Sequence, residues 1–336
     1  MEINYKACDT EFAWELFFKI HSSRIDFQYN QEVCMPIKIQ SDLPACKILE
    51  NENIFVMTEK RAATQDIRPL KIAIVNLMPT KEVTETQLLR LLGNTPLQIE
   101  ISLVRMENHV SKNTDEGYLD KFYISSNDLY SQKFDGMIIT GAPVEQLDFE
   151  EVDYWQELCK IMDYARNNVF STLYLCWGSF AGLYHHYGIE KYPLERKMSG
   201  IFMNERCVEG DPLLRGFDDT FPIPQSRHTT LHKEDVEKCR DLVILAESAE
   251  AGVTIIKSKD NREIFMTGHL EYDTMTLAQE YYRDTDKGMK VPLPKNYFPT
   301  NNVNRMPTSY WRATAHLFYS NWLNYYVYQA TPFNFV

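Results

Sequence analysis

The chain has no excess of positive charge: 35 lysines and arginines stand against 47 aspartates and glutamates, for a formal net charge of −12. Nucleic-acid-binding domains normally carry a basic face, so this balance argues against a nucleic-acid partner. No apolar run reaches the ~18 residues that a membrane-spanning helix needs. We therefore expect neither nucleic acid nor a membrane among its partners, although a few local cations can still hold a phosphate-bearing ligand.

Paired cysteine motifs are also missing. The seven cysteines are odd in number, scattered and without Cys-x-x-Cys spacing. This pattern is typical of reduced thiols and not of a disulfide framework or a zinc site, so it predicts a cytoplasmic protein without a bound metal. The adjacent His185 and His186 are interpreted as helix-surface or packing residues, because no other ligand lies nearby in the sequence.

Residues 1–34 differ in character from the rest of the chain. They carry acids early and lack a basic start followed by an apolar block, so they do not form a secretory signal. The stretch Met35–Ile39 reads like a natural start of its own. Two interpretations stay open: an N-terminal extension outside the native fold, or a genuine short helix around Phe12–Ile20. We expect residues 35–336 to form a single domain with a sizeable core, since 44% of the chain is hydrophobic.

Apolar runs alternate with helical patterns through the centre of the chain. Strands are predicted at 71–78, 98–104, 134–139, 172–175, 242–245, 253–256 and 264–266. Helices are predicted at 81–92, 151–167, 274–283 and, with many aromatic residues, 308–328. The alternation favours an α/β fold in three layers, with a mostly parallel sheet and an extra C-terminal helix. Ligands of such sheets bind at the carboxyl ends of the strands, where Lys81, Gly141 and Cys176 are expected.

The stretch Thr172–Gly182 is typical of a nucleophile elbow, in which a strand, a sharp turn and a helix follow one another. Apolar residues lead into Cys176, and Gly178 follows two positions later. Such a turn points one side chain at the positive end of a helix dipole, which favours thiolate over thiol. Taken alone, the stretch fits either a nucleophile or a buried structural cysteine.

The later motif His269-Leu270-Glu271 favours catalysis. It follows an apolar strand, and residues i and i+2 of a strand face the same side. Glu271 can then orient His269, which can take a proton from a nucleophile. With Cys176, these residues make a nucleophile–base–orienter set in the chain order Cys, His, Glu.

These motifs resemble the class I glutamine amidotransferase-like fold, a flavodoxin-like α/β sandwich. The surrounding sequence resembles the homoserine O-acyltransferase family of methionine biosynthesis more specifically, through the segments Asn76–Lys81, Thr140–Pro143, Leu175–Gly178, Lys197–Phe202 and Gly268–Asp273. The resemblance extends from about Met35 to the C-terminus.

The resemblance implies a ping-pong acyl transfer without a permanently bound cofactor. The Cys176 thiolate would attack the thioester of an acyl-CoA, and His269, held by Glu271, would deprotonate the γ-hydroxyl of L-homoserine. The tetrahedral oxyanion needs backbone donors. The N–H of Trp177 is the first candidate, and the second donor comes from the turn at either Lys81 or Gly141.

Three residues match the family's substrate-contact positions: Lys197, Ser226 and Arg283. A guanidinium fork can grip the free carboxylate of homoserine at two points. Glu280 lies on the same predicted helix face as Arg283 and either takes the substrate ammonium or pairs with Arg283. Ser226 lies in a stretch that we interpret as a loop.

The family divides by acyl donor at a residue shortly after the Thr-Gly-Ala-Pro turn, where glycine goes with succinyl-CoA and glutamate with acetyl-CoA. This chain has Glu145 at that position. Unless it points to solvent, a fixed carboxylate there repels the terminal carboxylate of a succinyl group and fills its space. The expected reaction is therefore acetyl transfer from acetyl-CoA to L-homoserine, with succinyl transfer from succinyl-CoA as the alternative.

Two more distant alternatives share the fold. A glutamine-hydrolysing amidotransferase usually serves a synthase domain, which we do not find in this sequence, and the Lys197–Phe202 segment favours the transferase. A thiol-based sensor would need Cys176 but not His269. The aromatic C-terminal helix fits either a homodimer surface or packing on the core alone.

Overall fold

The computed structural model describes residues 37–38, 43–52, 56–57, 68–107 and 114–332. The chain divides into two units, Met1–Cys34 and Met35–Val336, and all the described residues belong to the second. The helix predicted around Phe12–Ile20 lies outside the described residues.

A 12-stranded sheet forms the centre of the described region. Its strands are β1 (Ile37–Lys38), β2 (Val56–Met57), β3 (Leu70–Val75), β4 (Ile99–Arg105), β5 (Tyr123–Ser125), β6 (Gly136–Ile139), β7 (Ser171–Leu175), β8 (Tyr192–Arg206), β9 (Thr220–Thr230), β10 (Leu242–Ser248), β11 (Gly252–Ser258) and β12 (Glu263–Met266). The spatial order is β2-β1-β4-β3-β6-β7-β12-β11-β10-β8-β9, with β5 beside β4. Neighbours from β2 to β12 are parallel, and those from β12 to β9 are antiparallel. The mostly parallel sheet is therefore confirmed.

The α-helices of the described region are α1 (Pro44–Asn51), α2 (Lys81–Leu92), α3 (Glu116–Phe122), α4 (Ser126–Tyr130), α5 (Trp155–Asn168), α6 (Trp177–Tyr187), α7 (Lys233–Lys238), α8 (Thr276–Asp286) and α9 (Arg312–Asn321). The helix predicted at 308–328 is two elements, because α9 passes into a π-helical segment at Trp322–Tyr328. Trp322 fixes this junction to the start of β7 by donating from Nε1 to Ser171 Oγ at 3.0 Å. Among the described residues, no helix combines the length and the apolar character required to cross a bilayer.

The central strands are buried on both faces, as their unbroken apolar sequences require. On β3, Ile72 and Ile74 belong to one core, whereas Ala73 and Val75 belong to the other. The first core contains residues of α1, α2 and α9, and the second contains residues of α5 and α6. The sheet thus lies between two helical layers, and the expected three-layer sandwich is confirmed.

The long hairpin of β8 and β9 corrects the prediction of a loop around Ser226. Ser226 lies within β9 and pairs in register with Ser199 of β8. Two prolines, Pro222 and Pro224, interrupt the apolar alternation that would otherwise have indicated a strand. They are tolerated because β9 ends the sheet, and an edge strand needs no N–H donors on its outer side.

Candidate active site

The elbow predicted around Cys176 is present at the carboxyl end of β7. Cys176 has φ +48° and ψ −118°, in the left-handed range that a residue with a Cβ rarely adopts, at a cost of about 1–3 kcal/mol. Neighbouring backbone holds this turn: the Cys176 N–H donates to the Met266 carbonyl at 2.7 Å. Ser179 Oγ lies 2.8 Å from the carbonyl oxygen of Tyr174 and 2.7 Å from that of Met266. The strain is thus balanced by hydrogen bonds to β7 and β12.

Gly178 lets helix α6 start close against β6. A Cβ at this position would lie 2.7 Å from the carbonyl oxygen of Thr140 and 2.8 Å from that of Ile139. Both are backbone atoms that cannot rotate away. Glycine is therefore required for the close approach that places Cys176 at the sheet edge.

Cys176, His269 and Glu271 come together as expected, and their exposed fractions are only 3%, 3% and 7%. His269 Nδ1 lies 2.6 Å from Glu271 Oε1. Since Nδ1 is engaged by Glu271, Nε2 is the ring nitrogen that remains available to the Cys176 thiol, with which the imidazole interacts electrostatically. The ring also stacks on Tyr272, with centroids 4.0 Å apart and planes at 19°.

The reason given from the sequence for the His–Glu pairing is wrong. Strand β12 ends at Met266, and His269 and Glu271 lie in the turn that follows it. The His269 N–H donates to the Pro224 carbonyl of β9 at 2.9 Å, and the Tyr272 N–H returns to the His269 carbonyl at 3.3 Å. The turn, and not strand alternation, brings the two side chains together.

The electrostatics of the pair are set by burial and by charge coupling. Burial raises the pKa of the Cys176 thiol, because a buried thiolate loses its water, and His269 opposes that rise. Burial also lowers the pKa of His269, but the charges of Cys176 and Glu271 outweigh it and hold that pKa well above its usual value. The imidazole is therefore a strong acceptor for the thiol proton.

Arg227 is a buried cation that the sequence analysis missed. Its guanidinium donates to Gln225 Oε1 at 3.1 Å, to the Ala251 carbonyl at 2.5 Å and to the Thr229 carbonyl. Burial lowers its pKa to about 10, while the charges of Cys176 and Glu145 act in the opposite direction. Arg227 thus adds a positive charge near the thiol. Its position directly after Ser226 was the feature of the sequence that could have indicated it.

The matched substrate positions form a second polar cluster beside the His269 turn. Lys197 on β8 lies 3.0 Å from Asp284 Oδ2 and 3.3 Å from Glu280 Oε2, both on α8. Ser226 Oγ donates to Glu280, and the Tyr272 hydroxyl donates to Glu280 Oε1 at 2.8 Å. Since Tyr272 stacks on His269, this cluster is continuous with the triad.

Arg283 does not pair with Glu280, the pairing left open from the sequence. Its Nη2 and Nε lie 2.8 and 2.9 Å from Asp284 Oδ1, and 55% of its side chain is exposed. Asp284 was missed, although its spacing of four from Glu280 puts both carboxylates on one helix face. Lys197 and Arg283 lower the pKa of Asp284 against the effect of its burial.

Glu145 does not point to solvent. It is half-buried in the turn after β6, and its Oε2 accepts the N–H of His228. Burial raises the pKa of this carboxyl, whereas His228 and the charges of His269 and Arg227 lower it. Lys191 fixes the same turn by donating to the Glu145 carbonyl at 2.7 Å. The carboxyl group therefore lies within electrostatic range of His269.

Two of the three oxyanion candidates lie beside Cys176. Trp177 begins α6, so its N–H has no acceptor within the helix. A Cβ at Gly141 would lie 3.2 Å from Cys176 Cβ and 3.7 Å from Sγ, which puts that backbone against the thiol. Lys81 instead donates from Nζ to the Asn76 carbonyl at 2.7 Å, and burial lowers its pKa to about 8.

Behind the triad, two buried oxygens lack hydrogen-bond partners within the described part of the chain: Glu271 Oε2 and the Tyr319 hydroxyl. Burial and the charge of Glu271 raise the pKa of Tyr319, so the phenol lies within range of that carboxylate. Nothing in the sequence around Tyr319 on α9 indicated this position.

The histidine pair on α6 has a third neighbour that distance along the sequence concealed. Asp163 on α5 lies 2.8 Å from His185 Nε2, and one ligating atom from each of Asp163, His185 and His186 falls within 4.8 Å of the others. This cluster lies at the C-terminal end of α6, whereas the elbow lies at the N-terminal end of the same helix.

Comparison with known proteins identifies close relatives. The family model described as homoserine O-succinyltransferase matches residues 36–333. Homoserine O-acetyltransferase of Petrotoga mobilis is 58% identical over 300 residues, which are 89% of this chain and 97% of that protein. Homoserine O-acetyltransferase of Acetivibrio thermocellus is 59% identical over 300 residues, covering 89% and 98%.

Glutamine amidotransferases are among the solved structures that align with this chain. A glutamine amidotransferase from Thermotoga maritima aligns with a TM-score of 0.49 and 12% identity, over 77% of this chain and 98% of that one. At this identity the likeness says nothing about substrate or activity.

Proposed function

The chain belongs to the homoserine O-succinyltransferase family and is an acyltransferase, and on that premise we propose that it transfers an acetyl group from acetyl-CoA to the γ-hydroxyl of L-homoserine. The product, O-acetyl-L-homoserine, would serve L-methionine biosynthesis. The observation that carries the proposal is the buried set of Cys176, His269 and Glu271 at the carboxyl end of β7.

In the first half-reaction, His269 takes the thiol proton as Cys176 attacks the thioester carbonyl of acetyl-CoA. The tetrahedral intermediate collapses with loss of the CoA thiolate, which recovers that proton from the imidazolium. Exchange of one thioester for another is nearly isoenergetic, so a cysteine suits a CoA donor. Glu271 stabilises the imidazolium through the 2.6 Å contact at Nδ1.

In the second half-reaction, His269 accepts the γ-hydroxyl proton of homoserine as that oxygen attacks the acetyl-cysteine. Collapse of the intermediate releases the ester and the Cys176 thiolate, which is reprotonated by His269. We assign the oxyanion contacts in both halves to the backbone N–H groups of Trp177 and the Gly141 turn. Their position against Cys176 supports this pair over Lys81, whose ammonium contacts Asn76.

Homoserine would bind at the polar cluster next to the His269 turn. Arg283, half-exposed and held by Asp284, offers its guanidinium to the substrate carboxylate. Glu280 offers a carboxylate for the ammonium, with Lys197 and Ser226 fixing its orientation. The continuity of this cluster with His269 through Tyr272 would place the γ-hydroxyl near the base.

The choice of acetyl over succinyl rests on Glu145 and on the relatives. The family model carries the succinyl name, whereas the two relatives of 58% and 59% identity are acetyltransferases. Glu145 lies within electrostatic range of His269, beside which any acyl group must sit. A carboxylate there disfavours a second carboxylate at the end of the acyl chain.

A paired assay tests the donor. Initial rates with L-homoserine would be measured for acetyl-CoA and succinyl-CoA at equal concentration. We expect a clear preference for acetyl-CoA, and a preference for succinyl-CoA would refute the role of Glu145 while leaving the acyltransferase assignment intact.

Intact-mass measurement tests the nucleophile. Incubation with acetyl-CoA alone should add one acetyl group to the wild-type protein and none to the Cys176→Ala variant, which should also lose turnover. An acetylated Cys176→Ala protein would move the nucleophile elsewhere.

We also propose a domain organisation, a cellular compartment and an oligomeric state for the enzyme. Residues 35–336 would form one acyltransferase domain acting in the cytoplasm, with L-homoserine and acetyl-CoA as its small-molecule partners. The family match over residues 36–333 supports the domain, and the thiols of Cys159, Cys176, Cys207 and Cys239, which form no disulfides, suit a reducing compartment. The proposed oligomer is a homodimer, which sedimentation of the full chain would test.

A further inference from the structure

The side chains of Asp163, His185 and His186 converge between two packed helices. Asp163 lies on α5, and the two histidines occupy the last turn of α6. The ring centroids of His185 and His186 are 4.7 Å apart, and one ligating atom from each of the three residues lies within 4.8 Å of the others. Small side-chain adjustments would bring these atoms to a common centre.

A buried carboxylate stands behind His186. His186 Nε2 lies 3.3 Å from Glu263 Oε1, and the side chains are only 4% and 1% exposed. Glu263 is fixed by the hydroxyls of Tyr187 at 2.6 Å and Tyr174 at 3.1 Å. A metal-binding histidine typically donates its second ring N–H to such a carboxylate, which orients the ring and raises its basicity.

The two histidines are held by separate neighbours. The His186 ring also lies against the backbone of Met162, the residue next to Asp163. Metal binding requires the tautomer of His186 that donates its proton to Glu263 and leaves the other ring nitrogen free as a ligand. His185 is steadied separately by the edge of Trp155, at a centroid distance of 6.2 Å.

We propose that Asp163, His185 and His186 bind a divalent transition-metal ion, with Glu263 as the residue that orients His186. Two imidazoles and one carboxylate form the nitrogen and oxygen donor set that Zn²⁺, Co²⁺ and Ni²⁺ accept, with a water in the remaining position. The ion replaces the His185–Asp163 hydrogen bond and links α5 to α6, the helix that begins at the nucleophile. The site is independent of the proposed reaction.

Cobalt binding to the full chain, treated beforehand with a chelator, tests this site. Visible absorption titration should give one high-affinity Co²⁺, and Asp163→Asn and His185→Gln should each weaken binding at least ten-fold. Both residues are accessible enough that their variants should fold, which circular dichroism would check. His232→Gln, at an exposed histidine outside the cluster, should retain wild-type affinity.

The spectrum also separates this site from the catalytic thiol. Coordination by Cys176 would produce a sulfur-to-cobalt charge-transfer band that disappears in Cys176→Ser, whereas the proposed site should bind Co²⁺ without that band and in that variant too. Equal affinities of the wild type, Asp163→Asn and His185→Gln, or no binding by the wild type, would overturn the proposal.

Discussion

The sharpest prediction concerns Glu145, whose carboxyl group is held by the N–H of His228 within electrostatic range of His269. Replacing it with glycine removes both charge and volume. Replacing it with glutamine removes the charge, keeps the volume and retains an oxygen for the His228 N–H. The two variants therefore separate repulsion of a succinyl carboxylate from simple occupation of its space.

The magnitude follows from Coulomb's law. Two like charges about 4 Å apart repel by about 1 kcal/mol in water and about 4 kcal/mol at a partly buried site. Since about 1.4 kcal/mol corresponds to a factor of ten, removing the Glu145 charge should improve succinyl-CoA relative to acetyl-CoA by about five-fold to about a thousand-fold. The half-buried position of Glu145 favours the upper part of that range.

The assay is the ratio of kcat/KM for the two donors in the wild type and both variants. If charge dominates, Glu145→Gln should recover most of the gain seen in Glu145→Gly; if volume dominates, only the glycine variant should change. Equal ratios in all three proteins would refute the assignment of Glu145 to donor selection.

The pH dependence of that ratio provides a second check. Burial raises the pKa of Glu145, so its charge is present above that raised pKa and is lost as pH falls through it. Discrimination against succinyl-CoA should therefore weaken toward acidic pH in the wild type. The ratio in Glu145→Gln should follow a flat course over the same range, apart from titration of the substrate itself.

Three further variants test other parts of the site. Arg283→Lys keeps the charge but loses the fork, which is worth about 1.5–3 kcal/mol, so KM for homoserine should rise about ten-fold to about a hundred-fold with KM for acetyl-CoA unchanged. Tyr319→Phe removes a buried hydroxyl that lies within electrostatic range of Glu271, and it should lower kcat and shift the pH profile assigned to His269; an unchanged profile would exclude a positioning role. Gly178→Ala should reduce the free energy of unfolding by about 1–3 kcal/mol in urea titrations, because its Cβ would meet the neighbouring strand backbone; a stable variant would show that the elbow can relax.

The fold and the elbow at Cys176 could be predicted because their signals are local. The buried strands β3, β6 and β7 are short apolar runs, and the elbow at Cys176 combines a strand, a glycine and a helix start within eleven residues. Each of these features depends on contacts between near neighbours in the chain or on burial of a whole segment. The sequence therefore indicated both the parallel sheet and the edge at which the thiol lies.

The hairpin of β8 and β9 could not be predicted in the same way. Its stability comes from pairing across a long antiparallel ladder and from the edge position that tolerates Pro222 and Pro224, and neither is visible in a local pattern. Because Ser226 and Arg227 lie on β9, their positions beside the active site could not be predicted without that strand. Only the family resemblance drew attention to Ser226, and Arg227, directly after it, was missed.

The ion pairs of the substrate cluster show most clearly what sequence spacing cannot predict. Sequence spacing offered Glu280 as the partner of Arg283, yet Arg283 contacts the adjacent Asp284, while Lys197 from a distant strand approaches Glu280. An ion pair forms where the backbone brings opposite charges together, and i,i+3 spacing contributes only a few tenths of a kcal/mol to that choice, roughly 0.2–0.5. The tertiary fold therefore decides which charges pair. Glu280 contacts side chains of β8 and β9, whereas the side chain of Arg283 is directed outward. In this arrangement one helix can present a cation and an anion to the two ends of an amino acid.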